Sequence, residues 1–152
     1  IGTAEWCQQG QDVAFVAVGP LVYEALQAAR LLESTAGITA SVINARFVKP
    51  VDTAMLSKVA KSQKLVVTLE DGTLKGGFGS EVAEFFSETS KDNELLRLGI
   101  PDRFVEHGDP ALLYEKLGLT ATGILKSVQN SKTFSELSQL YIPTLYKHSK
   151  AS

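Results

Sequence analysis

The chain has 152 residues, a length that suits one domain, and 44% of them are hydrophobic, which is enough for a core without disulfide or metal crosslinks. Its 15 basic and 17 acidic residues give a formal net charge of -2 and are spread along the chain, which disfavours nucleic acid and anionic membranes as partners. The single cysteine, Cys7, cannot form an internal disulfide, and no Cys/His cluster has zinc-like spacing, a pattern that favours a reducing compartment.

No segment approaches the roughly 20 apolar residues of a membrane-spanning helix, and the first residues lack the basic and apolar pattern of a signal peptide. We therefore expect a soluble protein. The chain begins with Ile1 rather than with an initiator methionine. From this we expect it to be a piece of a longer polypeptide.

Apolar runs alternate with segments of helical period along most of the chain. The predicted strands are residues 12–18, 39–45, 64–69 and 94–98. The predicted helices follow Gly19-Pro20, Asp52, Ser80, Asp109-Pro110 and Thr120, and Gly37 and Gly118 are expected to end two of them. This alternation predicts an α/β fold, a three-layer α/β/α sandwich with a mainly parallel sheet and right-handed crossovers.

Residues 129–133 are polar enough to form a joint, so we predict a domain over residues 1–130 and a tail over residues 131–152 that is helical in part. The tail carries apolar residues, among them Phe134, Leu137 and Tyr141, at helical spacing. Such a face could pack against this domain or against a neighbouring one, and the sequence leaves both options open.

Ligands of open parallel sheets bind beyond the carboxyl ends of the strands. Arg46 follows the second predicted strand, so its guanidinium could bind a phosphate or carboxylate. The alternative is a structural ion pair with a loop carboxylate such as Glu70 or Asp71. Lys49 is a weaker candidate and could instead be a solvated or interface side chain. His107 could act as an acid or base near neutral pH, or be structural.

The glycine-rich loop at residues 76–80 could bind an anion through its backbone amides, or could serve a tight turn and close packing. It matches neither the dinucleotide fingerprint nor the P-loop. Cys7 has no neighbouring histidine, and the sequence shows no Ser-His-Asp set, metal triad or paired-carboxylate site. We therefore predict no catalytic and no metal-binding residue in this chain.

Three segments carry a family resemblance. They are RFVKPVD at residues 46–52, TLEDGTLKGGFGSEV at residues 68–82, and GIPDRFVEHGDP with LGLTATGI at residues 99–110 and 117–124. Together they resemble the C-terminal domain of transketolase-like enzymes, in particular the 1-deoxy-D-xylulose-5-phosphate synthase family. The β subunits of 2-oxo acid dehydrogenases share the first segment but normally end differently, so the third favours the synthases. The resemblance covers about residues 1–128.

The resemblance implies a homodimeric transferase that uses thiamine diphosphate and Mg²⁺ to decarboxylate pyruvate and add the two-carbon fragment to glyceraldehyde 3-phosphate. The product, 1-deoxy-D-xylulose 5-phosphate, feeds isoprenoid, thiamine and pyridoxal synthesis. In this family the cofactor binds in two preceding domains, whose GDG…N magnesium motif and activating glutamate do not occur here. The chain alone is therefore expected to bind no cofactor and to be inactive. Arg46 matches the arginine that this family's domain contributes to the aldehyde phosphate site, whereas His107 matches no position with a role.

The partners implied are the N-terminal domains of the same enzyme, a second copy of the chain and small-molecule substrates, without nucleic acid or membrane. The expected location is the bacterial cytoplasm, or the plastid if the source is a plastid-bearing eukaryote. Two alternatives stay open. One is the C-terminal domain of a 2-oxo acid dehydrogenase β subunit, and the other is a non-catalytic scaffold domain with the same fold.

Overall fold

The computed structural model describes residues 1–90, 92–102 and 108–150. Within these ranges the elements, in chain order, are β1 (Glu5–Gln8), β2 (Val13–Ala17), α1 (Leu21–Ala36), β3 (Ala40–Asn44), α2 (Thr53–Ser62), β4 (Leu65–Thr73), α3 (Phe78–Thr89), β5 (Glu94–Ile100), α4 (Pro110–Leu117), α5 (Ala121–Gln129) and α6 (Lys132–Lys150). None of the helices in this part of the chain is long and apolar enough to cross a membrane.

The strands form one sheet in the order β1-β3-β2-β4-β5. Strands β2, β3, β4 and β5 run parallel, and β1 pairs antiparallel with β3 at one edge. The predicted mainly parallel α/β sheet is confirmed, and β1 is an addition. Its four residues alternate between exposed and half-buried, so this short edge strand lacks the apolar run that marks the inner strands.

Helices cover both faces of the sheet, as a three-layer sandwich requires. Successive side chains of the fully buried strand β2 point to opposite faces. Phe15 packs in a core cluster with residues of α1, α5 and α6. Val16 packs in a second cluster with residues of α2 and α3. Two separate apolar cores therefore hold the sheet from both sides.

Several predicted helix ends are confirmed. Gly37 ends α1 with a left-handed φ of 68°. The Asp52 carboxylate accepts a hydrogen bond from the N–H of Met55 at 2.9 Å and so caps α2. Thr120 caps α5 in the same way. The prediction that Ser80 caps a helix is wrong, because α3 already begins at Phe78 and Ser80 lies inside its first turn.

The first part of α6 packs against this domain. Leu137 is buried in the same cluster as α1, and Phe134 and Tyr141 lie against that cluster. The Tyr141 hydroxyl also donates to a carboxylate oxygen of Asp12 at 2.8 Å. The apolar face of the tail therefore packs against this domain, which is the first of the two options that the sequence left open. The division of the chain near residue 130 stays a prediction.

Candidate functional site

The carboxyl ends of the three central strands meet at one rim of the sheet. Their pairing continues beyond the strands, since the N–H of Val18 donates to the carbonyl of Leu69 at 3.0 Å and that of Ala45 to Ala17 at 2.8 Å. The loops that follow therefore start side by side. Arg46 lies at this rim, two residues beyond Asn44, the last residue of β3.

Arg46 is exposed and forms no ion pair with any residue that the structure describes. Its guanidinium carbon lies 5.8 Å from the ring centre of the half-buried Phe47, within cation–π range. The backbone N–H of Arg46 donates to the side-chain oxygen of Asn44 at 3.0 Å. Arg46 also has a φ of 64° and is the one non-glycine residue with positive φ in the described ranges.

The alternative partners predicted for Arg46 are engaged elsewhere. Glu70 is only 4% exposed, and its two carboxylate oxygens accept the N–H groups of Phe78 at 2.8 Å and Gly79 at 2.9 Å. Asp71 accepts a hydrogen bond from the Tyr114 hydroxyl at 3.3 Å. Burial, together with the negative charge of Asp71, raises the pKa of Tyr114 above its usual range. The guanidinium of Arg46 is thus left for a ligand or for a part of the protein outside the described residues.

The glycine-rich loop serves close packing. A Cβ on Gly77 would lie 2.3 Å from a carboxylate oxygen of Glu70, and one on Gly79 would lie 3.1 Å from the other oxygen. Glycine is needed here because the carboxylate sits directly on the N-terminus of α3. The amides that could have bound an external anion hold Glu70 instead. The sequence signal for this interaction is a glutamate directly after the predicted strand and shortly before a glycine-rich helix start.

The other two candidates are less suited to bind a ligand. Lys49 forms an ion pair with Glu81 of α3 at 2.8 Å. The hydrogen bond to Glu81, assisted by its charge, raises the pKa of Lys49 above the ordinary value. His107 lies outside the described residues.

The described residues do not fit a magnesium site. Among them, no three His, Cys, Asp or Glu side chains lie close enough together to hold a metal ion. At the rim itself, the Glu70 carboxylate is already bound by two backbone amides. No chemical step is therefore assigned to a metal or to thiamine diphosphate through these residues.

The chain begins at the same rim. Because β1 runs antiparallel to β3, its first residues lie beside the loop that follows β3. The N–H of Ala4 donates to a carboxylate oxygen of Asp52 at 2.9 Å. A Cβ on Gly2 would lie 3.1 Å from the side chain of Pro50. Any polypeptide that precedes Ile1 therefore connects next to the loop of residues 46–50.

The family model described as "Transketolase, C-terminal domain" matches residues 2–124. The chain belongs to this family. Among curated proteins, the 1-deoxy-D-xylulose-5-phosphate synthase of Aquifex aeolicus (strain VF5) is 45% identical over 131 residues, which cover 86% of this chain and 21% of that protein. The protein of the same name from Gloeobacter violaceus is 46% identical over 131 residues, with 86% and 20% covered. This transketolase C-terminal domain chain thus spans about a fifth of the length of the curated relatives it matches.

Solved structures that are similar to this chain include transketolases. A protein described as a split gene transketolase in an inactive β4 tetramer superposes with a TM-score of 0.78 at 37% identity, covering 87% of this chain and 42% of that one. A transketolase from Pichia stipitis, at 22% identity and a TM-score of 0.59 over 83% of this chain and 17% of that one, shows the shared fold alone. The predicted resemblance to transketolase-like C-terminal domains is therefore confirmed.

Proposed function

We propose that this chain is the C-terminal part of a 1-deoxy-D-xylulose-5-phosphate synthase, the enzyme that joins pyruvate and glyceraldehyde 3-phosphate with release of CO₂. The observation that carries the proposal is the identity of 45% over 131 residues to a curated protein of that name. Neither alternative, a 2-oxo acid dehydrogenase β subunit or a scaffold domain, has comparable support, since the curated relatives we compare carry the synthase name.

Within this enzyme, Arg46 binds the phosphate of glyceraldehyde 3-phosphate. Two observations support this role: the guanidinium is exposed at the carboxyl rim, and it makes no ion pair with a described residue. A guanidinium can bind a phosphate through two parallel hydrogen bonds. Lys49 is a poorer candidate, because Glu81 already neutralises it.

The contribution of Arg46 to the reaction is binding and orientation. A cation fixed at the rim holds the phosphate end of the acceptor and leaves the aldehyde carbon, at the other end, directed toward the rest of the active site. Thiamine diphosphate, when bound, supplies the carbanion chemistry that activates pyruvate. We assign the binding of the cofactor and Mg²⁺ to the part of the polypeptide that precedes Ile1. We further propose that the enzyme is a homodimer and that it is located in the bacterial cytoplasm or in a plastid.

The role of Arg46 is tested by steady-state kinetics of the full-length enzyme. Arg46→Ala is expected to raise the KM for glyceraldehyde 3-phosphate about tenfold or more, the loss expected for a charged hydrogen bond, with little change for pyruvate. With unphosphorylated glyceraldehyde as acceptor the variant and the wild type should behave alike. Lys49→Ala is the matched control and should leave both KM values within about twofold. Equal losses for both substrates would make Arg46 a structural residue.

The identity of the whole enzyme is tested by the coding sequence upstream of Ile1. We expect about 450 to 500 residues before Ile1, so that the whole protein has three domains of ordinary size. Those preceding residues should carry the GDG…N magnesium motif. The 152-residue chain by itself is expected to show no heat of binding with thiamine diphosphate and Mg²⁺. A nearby start codon with no such motif would favour the scaffold alternative. Co-purification of the full-length protein with a dehydrogenase α subunit would favour the 2-oxo acid dehydrogenase alternative.

A further inference from the structure

Arg46 lies at the centre of a strained three-residue turn. The N–H of Phe47 donates to the carbonyl of Ala45 at 2.7 Å, which closes a γ-turn around Arg46. The φ of 64° places Arg46 in the left-handed region, which is costly for a residue with a side chain. Backbone of this kind persists only where the surrounding structure holds it.

Two contacts hold the turn. Ala45 is only 5% exposed and its N–H donates to the carbonyl of Ala17 at 2.8 Å, so the first residue of the turn is fixed to the sheet. The side-chain oxygen of Asn44 accepts the N–H of Arg46 at 3.0 Å. An asparagine that accepts from the backbone two residues later forms an Asx-turn, and here that turn overlaps the γ-turn.

The direction of the arginine side chain follows from this backbone. A residue with positive φ sends its Cβ away from the path that a continuing strand would give it. The guanidinium then lies 5.8 Å from the ring centre of Phe47, the next residue of the turn. Without the Asn44 oxygen the N–H of Arg46 would lose its hydrogen-bond partner, and the backbone could relax to an extended conformation. The guanidinium would then leave its place at the rim.

We propose that Asn44 is a positioning residue that acts on the substrate phosphate only through Arg46, by holding the left-handed backbone of the turn at residues 45–47. The proposal rests on the proposed role of Arg46 in phosphate binding. Asn44 needs no contact with the substrate for this role. Its amide oxygen is already used by the N–H of Arg46.

The test is a double-mutant cycle in the full-length enzyme with Asn44→Ala, Arg46→Ala and the double variant. Asn44→Ala is expected to raise the KM for glyceraldehyde 3-phosphate about fivefold, the effect of one ordinary hydrogen bond, while kcat and the KM for pyruvate stay unchanged. In the Arg46→Ala background the same substitution should change the KM for glyceraldehyde 3-phosphate no further. Asn44→Ser, whose hydroxyl accepts the same bond less well, should give an intermediate KM and replaces Asn44→Ala in the cycle if the alanine variant does not fold.

The possible failures are distinguishable. If Asn44→Ala leaves the KM for glyceraldehyde 3-phosphate unchanged while Arg46→Ala raises it, the role of Asn44 is refuted and that of Arg46 stands. If Asn44→Ala has an effect of the same size in both backgrounds, Asn44 acts independently of Arg46 and the proposal is overturned. If Arg46→Ala itself has no effect on this KM, the proposed phosphate site is refuted, and the role of Asn44 with it.

Discussion

The buried carboxylate of Glu70, a residue of β4, binds the N-terminus of α3, and its charge is expected to stabilise the fold. Each of its oxygens accepts one backbone N–H, from Phe78 at 2.8 Å and from Gly79 at 2.9 Å. In Glu70→Gln one oxygen remains as an acceptor, but an NH₂ group faces the other N–H. That N–H is then left without a partner in a buried place, since Phe78 is only 1% exposed.

The size of the loss follows from two contributions. A buried N–H without an acceptor costs about 1–3 kcal/mol. Removal of a negative charge from a helix N-terminus costs a further ~0.3–1 kcal/mol. We therefore expect Glu70→Gln to lower the free energy of unfolding by about 1–4 kcal/mol. With a slope of about 2 kcal/mol per molar urea, the midpoint of urea unfolding falls by about 0.7–2 M.

The assay is urea unfolding of the chain at neutral pH, followed by circular dichroism. Glu88→Gln is the matched control, because Glu88 makes the same charge change in the exposed last turn of the same helix and is expected to alter stability by less than about 0.5 kcal/mol. If the midpoints of Glu70→Gln and Glu88→Gln agree within error, the carboxylate does not stabilise the start of α3 and the reasoning is refuted.

Two further predictions concern stability. Tyr141→Phe should lower the free energy of unfolding at neutral pH by about 1 kcal/mol, since Asp12 loses a hydroxyl donor. That hydrogen bond raises the pKa of Tyr141, so the bond contributes fully to stability below about pH 10. In urea unfolding, the difference between the variant and the wild type should shrink as the pH rises through the folded-state pKa of Tyr141. A constant difference at higher pH would contradict this. Gly77→Ala should lower the free energy of unfolding by about 1–3 kcal/mol, and with it the thermal midpoint, because the added Cβ would lie 2.2 Å from a backbone carbonyl oxygen. Gly108→Ala is its control, because a Cβ there would meet no atom of the described residues within 4 Å. Equal midpoints for the two variants would show that the contact at Gly77 is easily relieved.

The elements that local signals mark were predicted with small errors at their ends. The inner strands appear as apolar runs because helices cover both of their faces. The strand predicted over residues 64–69 extends to Thr73, and its last residues are polar. Thr73 pairs with Ile100 of β5, so the extension depends on a neighbouring strand that lies far along the chain. The edge strand β1 was missed for a related reason, since only its pairing with β3 makes it a strand.

The helix start near Ser80 shows how a distant contact overrides a local signal. A serine before an apolar run is a good capping residue, and the sequence therefore predicted a cap there. In the fold the amides at the start of α3 are held by Glu70, eight residues earlier and on another element. Ser80 is then free to donate to the carbonyl of Leu74 at 2.7 Å.

The sequence by itself determined the α/β class, most helix caps and the family, because these depend on short-range periodicity, on residues such as Gly37 and Asp52, and on contiguous motifs. It placed Arg46 beyond a strand but left its partner open. Only the tertiary structure decided that Glu70 is engaged with α3 and that Arg46 is held by Asn44 in a left-handed turn. The physical reason is that parallel crossovers bring strand ends together from distant parts of the chain, and which polar groups then satisfy one another depends on their positions in space.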